Sequence, residues 1–380
     1  MAMLSPRVTA SAMRVLLRGE LARYHSTQQA EVERFERELA PFVGVRRALG
    51  VNSGTSALIC AMVGLGIGPG DEVIVPGYTW VSTAAAPLAV GAVPVLAEVD
   101  RSLTLAPADI KAKISPHTKA IIVVHMLNLV ADMDAILAIA KEHGVAVVED
   151  ACQAVGVTYR GRRCGSIGDV GAFSFNVLKN IQAGEGGAVL TNSDTVFERA
   201  LTYHDVGFYI RNGYQPDDSV AFVGQNYRMT NLAAAILRPQ LTTLDKKLAV
   251  RRKRRAYWLD KLAGPFGNGI HVSPHNDPGS AVALTVYFDD PDEAAAFGSQ
   301  RGVARLIDTD RHVYTNWKSI RSGVTTHPGI DPYGWAHRDV RIREDSCPDT
   351  LDILRRTCEI KLFPEIPMPA YQRIVGETKR

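Results

Sequence analysis

The sequence predicts an α/β fold built on a mainly parallel sheet, and three observations carry that expectation. Short β-rich runs alternate with helical patterns through the first two thirds of the chain. The runs are apolar on both faces, as strands covered by helices on two sides must be. Crossover helices fit between several of them, and such crossovers set successive strands parallel, with ligands at the strand C-terminal ends.

The expected strands cover residues 71–75, 94–99, 120–124, 145–149, 172–175 and 188–191, with helices near 55–65, 107–114 and 131–143. From Met229 to about Leu262 the pattern reads as one long helical stretch, bent at Pro239, which loses a backbone donor there. It suits a connector, and the boundary between a large domain (1–245) and a smaller one (246–380) is placed near residue 245. The run Arg251-Arg252-Lys253-Arg254-Arg255 is expected to be a solvated face of that connector. Beyond Leu262 two or three further strands and helices are expected.

At 380 residues the chain is long enough to bury a large core without staples. Its 43 basic and 40 acidic side chains leave a net charge of +3, too even for a nucleic-acid groove or a membrane-binding face. Small-molecule partners are expected. Five cysteines without CxxC spacing suggest neither a zinc site nor a disulfide framework, and no metal site is expected. Residues 1–21 lack the apolar core of a signal peptide, and the apolar stretch 84–97 is too short to span a bilayer. A cytoplasmic location is the expectation.

Gly64, Gly66, Gly68 and Gly70 imitate a nucleotide loop but follow a helix and precede a strand, so they read as helix C-cap and turn. In Val51-Asn52-Ser53-Gly54-Thr55-Ser56-Ala57-Leu58, small polar residues open an apolar helix, an arrangement that caps the helix or holds a phosphate at its positive end. The strand Val147-Val148-Glu149-Asp150 ends in acids, fitted to hold a metal, act as a base, cap a helix or pair with a cationic ring nitrogen. Lys179 lies five residues beyond Ser174, after a short aromatic strand and before a glycine-rich turn. In its neutral surroundings, partial burial would free the amine for Schiff-base chemistry.

Together VNSGTSAL, GDEVIVPGYTW, ADMDAI, VVEDACQAVG, GDVGAFSFNVLKNIQAGEGGAVLTN and GQNYRMTNLAAAI resemble the DegT/DnrJ/EryC1/StrS sugar aminotransferases, from about Val32 through Leu244. The resemblance implies the fold of fold-type-I pyridoxal-phosphate enzymes: a large domain with a mainly parallel, seven-stranded-type sheet and a smaller α+β C-terminal domain. It implies that Lys179 carries pyridoxal 5'-phosphate covalently and moves protons, and that Asp150 keeps the pyridine nitrogen protonated. Gly54, Thr55, Ser56 and Ser174 would hold the phosphate, Gln153 the phenolic oxygen, and Trp80 would cover the ring beside Cys152. Asn226 would reach the phosphate of a neighbouring subunit, making a homodimer with shared sites. The implied reaction moves an amino group from glutamine or glutamate to a keto-sugar, often nucleotide-linked, or a keto-cyclitol. A dehydratase on the same fold replaces the lysine by histidine, which Lys179 contradicts, and a non-catalytic protein would not need the whole set. Asn128 stands where the family usually has glycine, a change that a left-handed turn tolerates. Residues 202–214 and Val313 onward match no specificity pattern.

Overall fold

The computed structural model describes residues 5–24, 30–207, 221–266, 269, 274–362 and 366–370. Its strands are β1 (Arg47–Val51), β2 (Glu72–Pro76), β3 (Val93–Ala97), β4 (Thr118–Val124), β5 (Ala146–Asp150), β6 (Thr158–Tyr159), β7 (Arg162–Arg163), β8 (Val170–Ser174), β9 (Gly187–Thr191), β10 (Thr285–Tyr287), β11 (Val303–Arg305) and β12 (Thr357–Ile360). Seven of them form one sheet in the order β1-β9-β8-β5-β4-β2-β3. Pairing is parallel from β3 through β8, and β9 runs antiparallel between β8 and β1. The six expected strands are all present, shifted by one or two residues. Strand β1 has no clear sequence signal, since RALGV begins with a charge and contains a glycine; it forms because β9 offers a free edge.

Alternation along the strands divides the main core into two layers. Val73, Val75, Ile122 and Val148 face one cluster, and Ile74, Ile121, Val123 and Val147 face the other. Burying a side chain of this size contributes about 1.5–3 kcal/mol. The first layer is covered by the helix Gly54–Gly64, and residues from far along the chain, Val313, Tyr314, Trp317 and Leu354, join it. A third cluster surrounds Trp258 and takes in Leu284, Val286 and Phe297 beside the antiparallel sheet β10-β12-β11.

The expected single connector is two helices, Asn231–Leu241 and Leu244–Phe266. The break follows Pro239, whose carbonyl accepts the hydroxyls of Thr242 (2.9 Å) and Thr243 (3.3 Å), so side chains replace the next backbone turn. The basic run on the second helix is not a solvated face. Arg254 is buried and donates to the Leu362 carbonyl at 2.8 Å, Arg255 donates to the Ala283 carbonyl at 2.8 Å, and Arg251 donates to Asn180 Oδ1 at 2.9 Å. Loop carbonyls packed against this helix need donors, and long guanidinium side chains supply them. Gly66 and Gly70 have positive φ in the turn before β2, as a C-cap and turn require.

Candidate active site

Strand β5 delivers two adjacent acids to opposite faces of the sheet, and their surroundings separate their roles. Glu149 is fully buried and accepts the N–H groups of Gly165 (2.8 Å), Ile167 (2.5 Å) and Gly168 (2.7 Å), and His125 Nε2 at 3.0 Å. Burial works to raise its pKa, but His125 and the backbone donors outweigh that and hold it below the usual carboxylate range. It pins the loop 165–168 beneath the strand end. We expect Glu149→Ala to cost about 3–5 kcal/mol by leaving buried donors unpaired. Urea unfolding measures that loss, and a change under 1 kcal/mol would contradict it.

Asp150 faces the other way. It is 5% exposed, accepts Thr83 Oγ1 at 2.8 Å and the Cys152 N–H at 3.2 Å, and has no ion-pair partner among the described residues. Because Thr83 gives its proton to Asp150, Thr79 donates to Thr83 at 2.7 Å. A buried carboxylate without a cation is costly, by several kcal/mol, and that cost is relieved when a cation binds.

Cys152 feels the charges of both Asp150 and Lys179. Burial and the charge of Asp150 push its thiol pKa well up, while Lys179 acts in the opposite sense. Lys179 is half-buried on the loop after β8, its N–H bonded to the Asn176 carbonyl at 2.9 Å. The next residue, Asn180, anchors the loop: its Nδ2 donates to Asn128 Oδ1 (2.8 Å) and to the Val155 carbonyl (2.9 Å). Asn128 itself has φ 66°, the left-handed conformation expected of a position where glycine is usual.

The helix Gly54–Gly64 starts beside this group. Ser53 is its N-cap, its Oγ accepting the Ser56 N–H at 3.0 Å. The Ser56 hydroxyl turns away to Asn52 Oδ1 at 2.6 Å. That leaves the N–H groups of Gly54 and Thr55 without an acceptor among the described residues. A Cβ on Gly54 would lie 2.8 Å from Ser174 Cβ and 3.0 Å from Cys152 Sγ, so only glycine lets the three segments close up. Ser53 therefore does the capping, and the first two N–H groups, with Ser174 close by, remain available to an anion.

The remaining sequence candidates divide. Gln153 Oε1 accepts the Leu127 N–H at 3.1 Å, which leaves its Nε2 to donate. Trp80 is 39% exposed, its ring 5.2 Å from that of His312. Asn226 stands apart: it is exposed, bridges to Asp205, and accepts the Arg228 N–H at 3.4 Å. Residues 208–214, part of the stretch without a specificity pattern, lie outside the described residues.

Three residues that neighbour these candidates were missed by sequence reasoning. Ser82 shares a hydrogen bond with Thr55 (2.8 Å), Thr83 holds Asp150, and His312 arrives from more than 130 residues beyond Lys179. Thr83 opens the helix Ser82–Ala89 and Thr79 lies in the loop before it, so their hydrogen bond is made by the loop's path and not by a helical repeat. His312 carried no sequence signal.

The family model for the DegT/DnrJ/EryC1/StrS aminotransferase family matches residues 16–322. The chain belongs to that family. The match extends on both sides of the segment whose motifs show the resemblance. The GDP-perosamine synthase of Caulobacter vibrioides is 43% identical over 66% of this chain and 65% of its own length. The L-glutamine:2-deoxy-scyllo-inosose aminotransferase of Streptoalloteichus tenebrarius is 41% identical over 64% of this chain and 59% of its own. This chain thus matches somewhat less than two thirds of each relative's length. The solved aminotransferase of Psychrobacter cryohalolentis superposes with a TM-score of 0.80 at 27% identity, covering 98% of this chain and 96% of that one.

The cofactor of this family is pyridoxal phosphate, and the residues present fit it. The free N–H groups at Gly54 and Thr55 suit a phosphate, and the unpaired Asp150 carboxylate suits a protonated ring nitrogen. Among the described residues there is no cluster of three metal-ligating side chains, and no helix is long and apolar enough to cross a membrane. All five cysteines are free and buried.

Proposed function

We propose that this chain transfers an amino group from glutamine or glutamate to the ketone of a keto-sugar, nucleotide-linked or free, or of a keto-cyclitol, in the making of an amino sugar or aminocyclitol. The observation that carries the reading is Asp150: a buried carboxylate without a cation among the described residues, at a parallel strand's C-terminal end, beside a Cys152 that feels the charges of both Asp150 and Lys179. Pyridoxal phosphate, when bound, supplies the carbonyl that receives the amino group and a ring that accepts the electron pair left by a departing proton. Lys179 Nζ carries the cofactor and moves the proton between substrate carbon and nitrogen. Asp150, whose Oδ2 accepts from Thr83, would keep a proton on the ring nitrogen. Gln153 Nε2 would donate to the phenolic oxygen, and Gly54, Thr55 and Ser174, with Ser56 behind them, would hold the phosphate. Trp80 walls the site from water.

The names of the two relatives support both acceptor classes, a nucleotide-linked sugar and a cyclitol. The test loads the protein's cofactor with glutamine or glutamate and screens keto-sugars and keto-cyclitols, 2-deoxy-scyllo-inosose among them, for return of the aldehyde absorbance band. Return with an aliphatic keto acid only would overturn the reading.

The unit that works is proposed to be a cytoplasmic homodimer. Asn226 is exposed on its own chain, and in this reading, which rests on the family resemblance, it serves a partner's phosphate site. Mixing inactive Lys179→Ala and inactive Asn226→Ala subunits is expected to restore activity, because a mixed dimer then holds one site with neither substitution. Subunit exchange without any return of activity would place Asn226 in its own chain's site or in none.

A further inference from the structure

The segment that follows β11 returns to the large sheet and is fastened there by its backbone. Tyr78 bridges to Val313, the Thr79 N–H donates to the His312 carbonyl at 2.9 Å, and the Tyr314 N–H donates to the Gly77 carbonyl at 3.2 Å. These bonds seat His312 just past the C-terminal end of β2, where its ring meets Trp80 at 5.2 Å and Tyr78 at 6.5 Å. Its Nδ1–H donates to the Thr309 carbonyl at 3.0 Å, which fixes the tautomer and leaves Nε2 as a lone-pair acceptor. Nε2 has no hydrogen bond among the described residues. Burial lowers the pKa of the ring more than the Thr309 bond raises it, and the charges of Lys179 and Lys361 lower it further. His312 is thus a neutral acceptor within electrostatic reach of Lys179.

A neutral acceptor discriminates between the two substrates of amino transfer. The carboxylates of glutamate or glutamine accept hydrogen bonds and need donors, which Nε2 of this tautomer is not. A sugar or cyclitol carries several hydroxyls, each a donor. We propose that His312 is a specificity-determining residue for the keto acceptor, its Nε2 accepting a hydrogen bond from a hydroxyl of the sugar or cyclitol. The assignment rests on the aminotransferase reading above and adds the residue that reads the acceptor.

The test separates the two half-reactions in the loaded enzyme. Loading by glutamine is followed as loss of the aldehyde band, and unloading by 2-deoxy-scyllo-inosose as its return. In His312→Leu, loading is expected to stay within about twofold of wild type, while the KM for the ketone in unloading rises about ten- to a hundredfold. His312→Gln, which retains an acceptor, should recover part of that loss. Binding of the same ketone to borohydride-reduced protein, which cannot turn over, should weaken in parallel. Equal falls in both half-reactions, or an unchanged KM for the ketone, would overturn the assignment. If wild type unloads with neither this ketone nor any keto-sugar, the acceptor reading itself fails, and this assignment falls with it.

Discussion

Replacing Lys179 by alanine is expected to abolish amino transfer, with a loss of about 10⁴-fold or more in single-turnover loading by glutamine. Proton transfer by a positioned side chain accounts for roughly 10²–10⁴ of such a rate, and the covalent hold on the cofactor disappears as well. The loop that presents the amine is tied down by Asn180 and not by the Lys179 side chain, so the fold should survive the change. The same residue is tested without turnover. Borohydride reduction of the wild-type protein should add the cofactor's mass to the peptide containing Lys179 and leave Lys179→Ala unlabelled. The instructive competitor is Lys247, whose Nζ donates to the Asn180 carbonyl at 2.6 Å. Its ammonium is already engaged. Labelling at Lys247, or loading by Lys179→Ala at a tenth of the normal rate, would refute the role given to Lys179.

Asp150→Asn is expected to lower turnover on the order of 10³-fold while the protein stays folded and binds much of its cofactor. The amide keeps the shape of the carboxylate: its oxygen can stand at Oδ1 and accept from the Cys152 N–H, while its NH2 stands at Oδ2 and donates to a Thr83 hydroxyl that turns to accept. What it loses is the negative charge that keeps a ring nitrogen protonated, and with it the ring's capacity to accept electrons. The loss should fall on kcat in both half-reactions, since both need that electron sink. Stability should remain level or rise, because an unpaired buried charge is removed. The neighbouring Glu149→Ala should do the opposite, losing stability through its buried network. Near-normal turnover in Asp150→Asn would exclude a ring-nitrogen partner at this position.

Much of the scaffold was legible in advance because its signals are local. Apolar runs, with helical periods between several of them, mark β2, β3, β4, β5, β8 and β9, since a strand buried on both faces is apolar along its middle. The resemblance located Lys179, Asp150, Gln153 and Ser174, for such motifs are contiguous in the chain. Where the pattern was read too simply, a side chain intervened: Thr242 and Thr243 end a helix that looked continuous, and Arg254 turns inward to a carbonyl of the chain's last described strand region.

By itself, then, the sequence determined the class of fold, the lysine and the acid, because periodicity and contiguous motifs are properties of short segments. Tertiary structure alone decided the surroundings that set the two adjacent acids apart. Glu149 and Asp150 differ by one position on a pleated strand, and a pleat sends neighbours to opposite faces, one into backbone donors and His125 and the other to Thr83 and the Cys152 N–H. It also decided the division of labour at the helix start, where Ser53 caps and leaves the N–H groups of Gly54 and Thr55 free. And it alone brought His312 to Trp80, since a contact between residues 232 positions apart depends on how β2 and the segment after β11 pair, which no local pattern in either segment encodes.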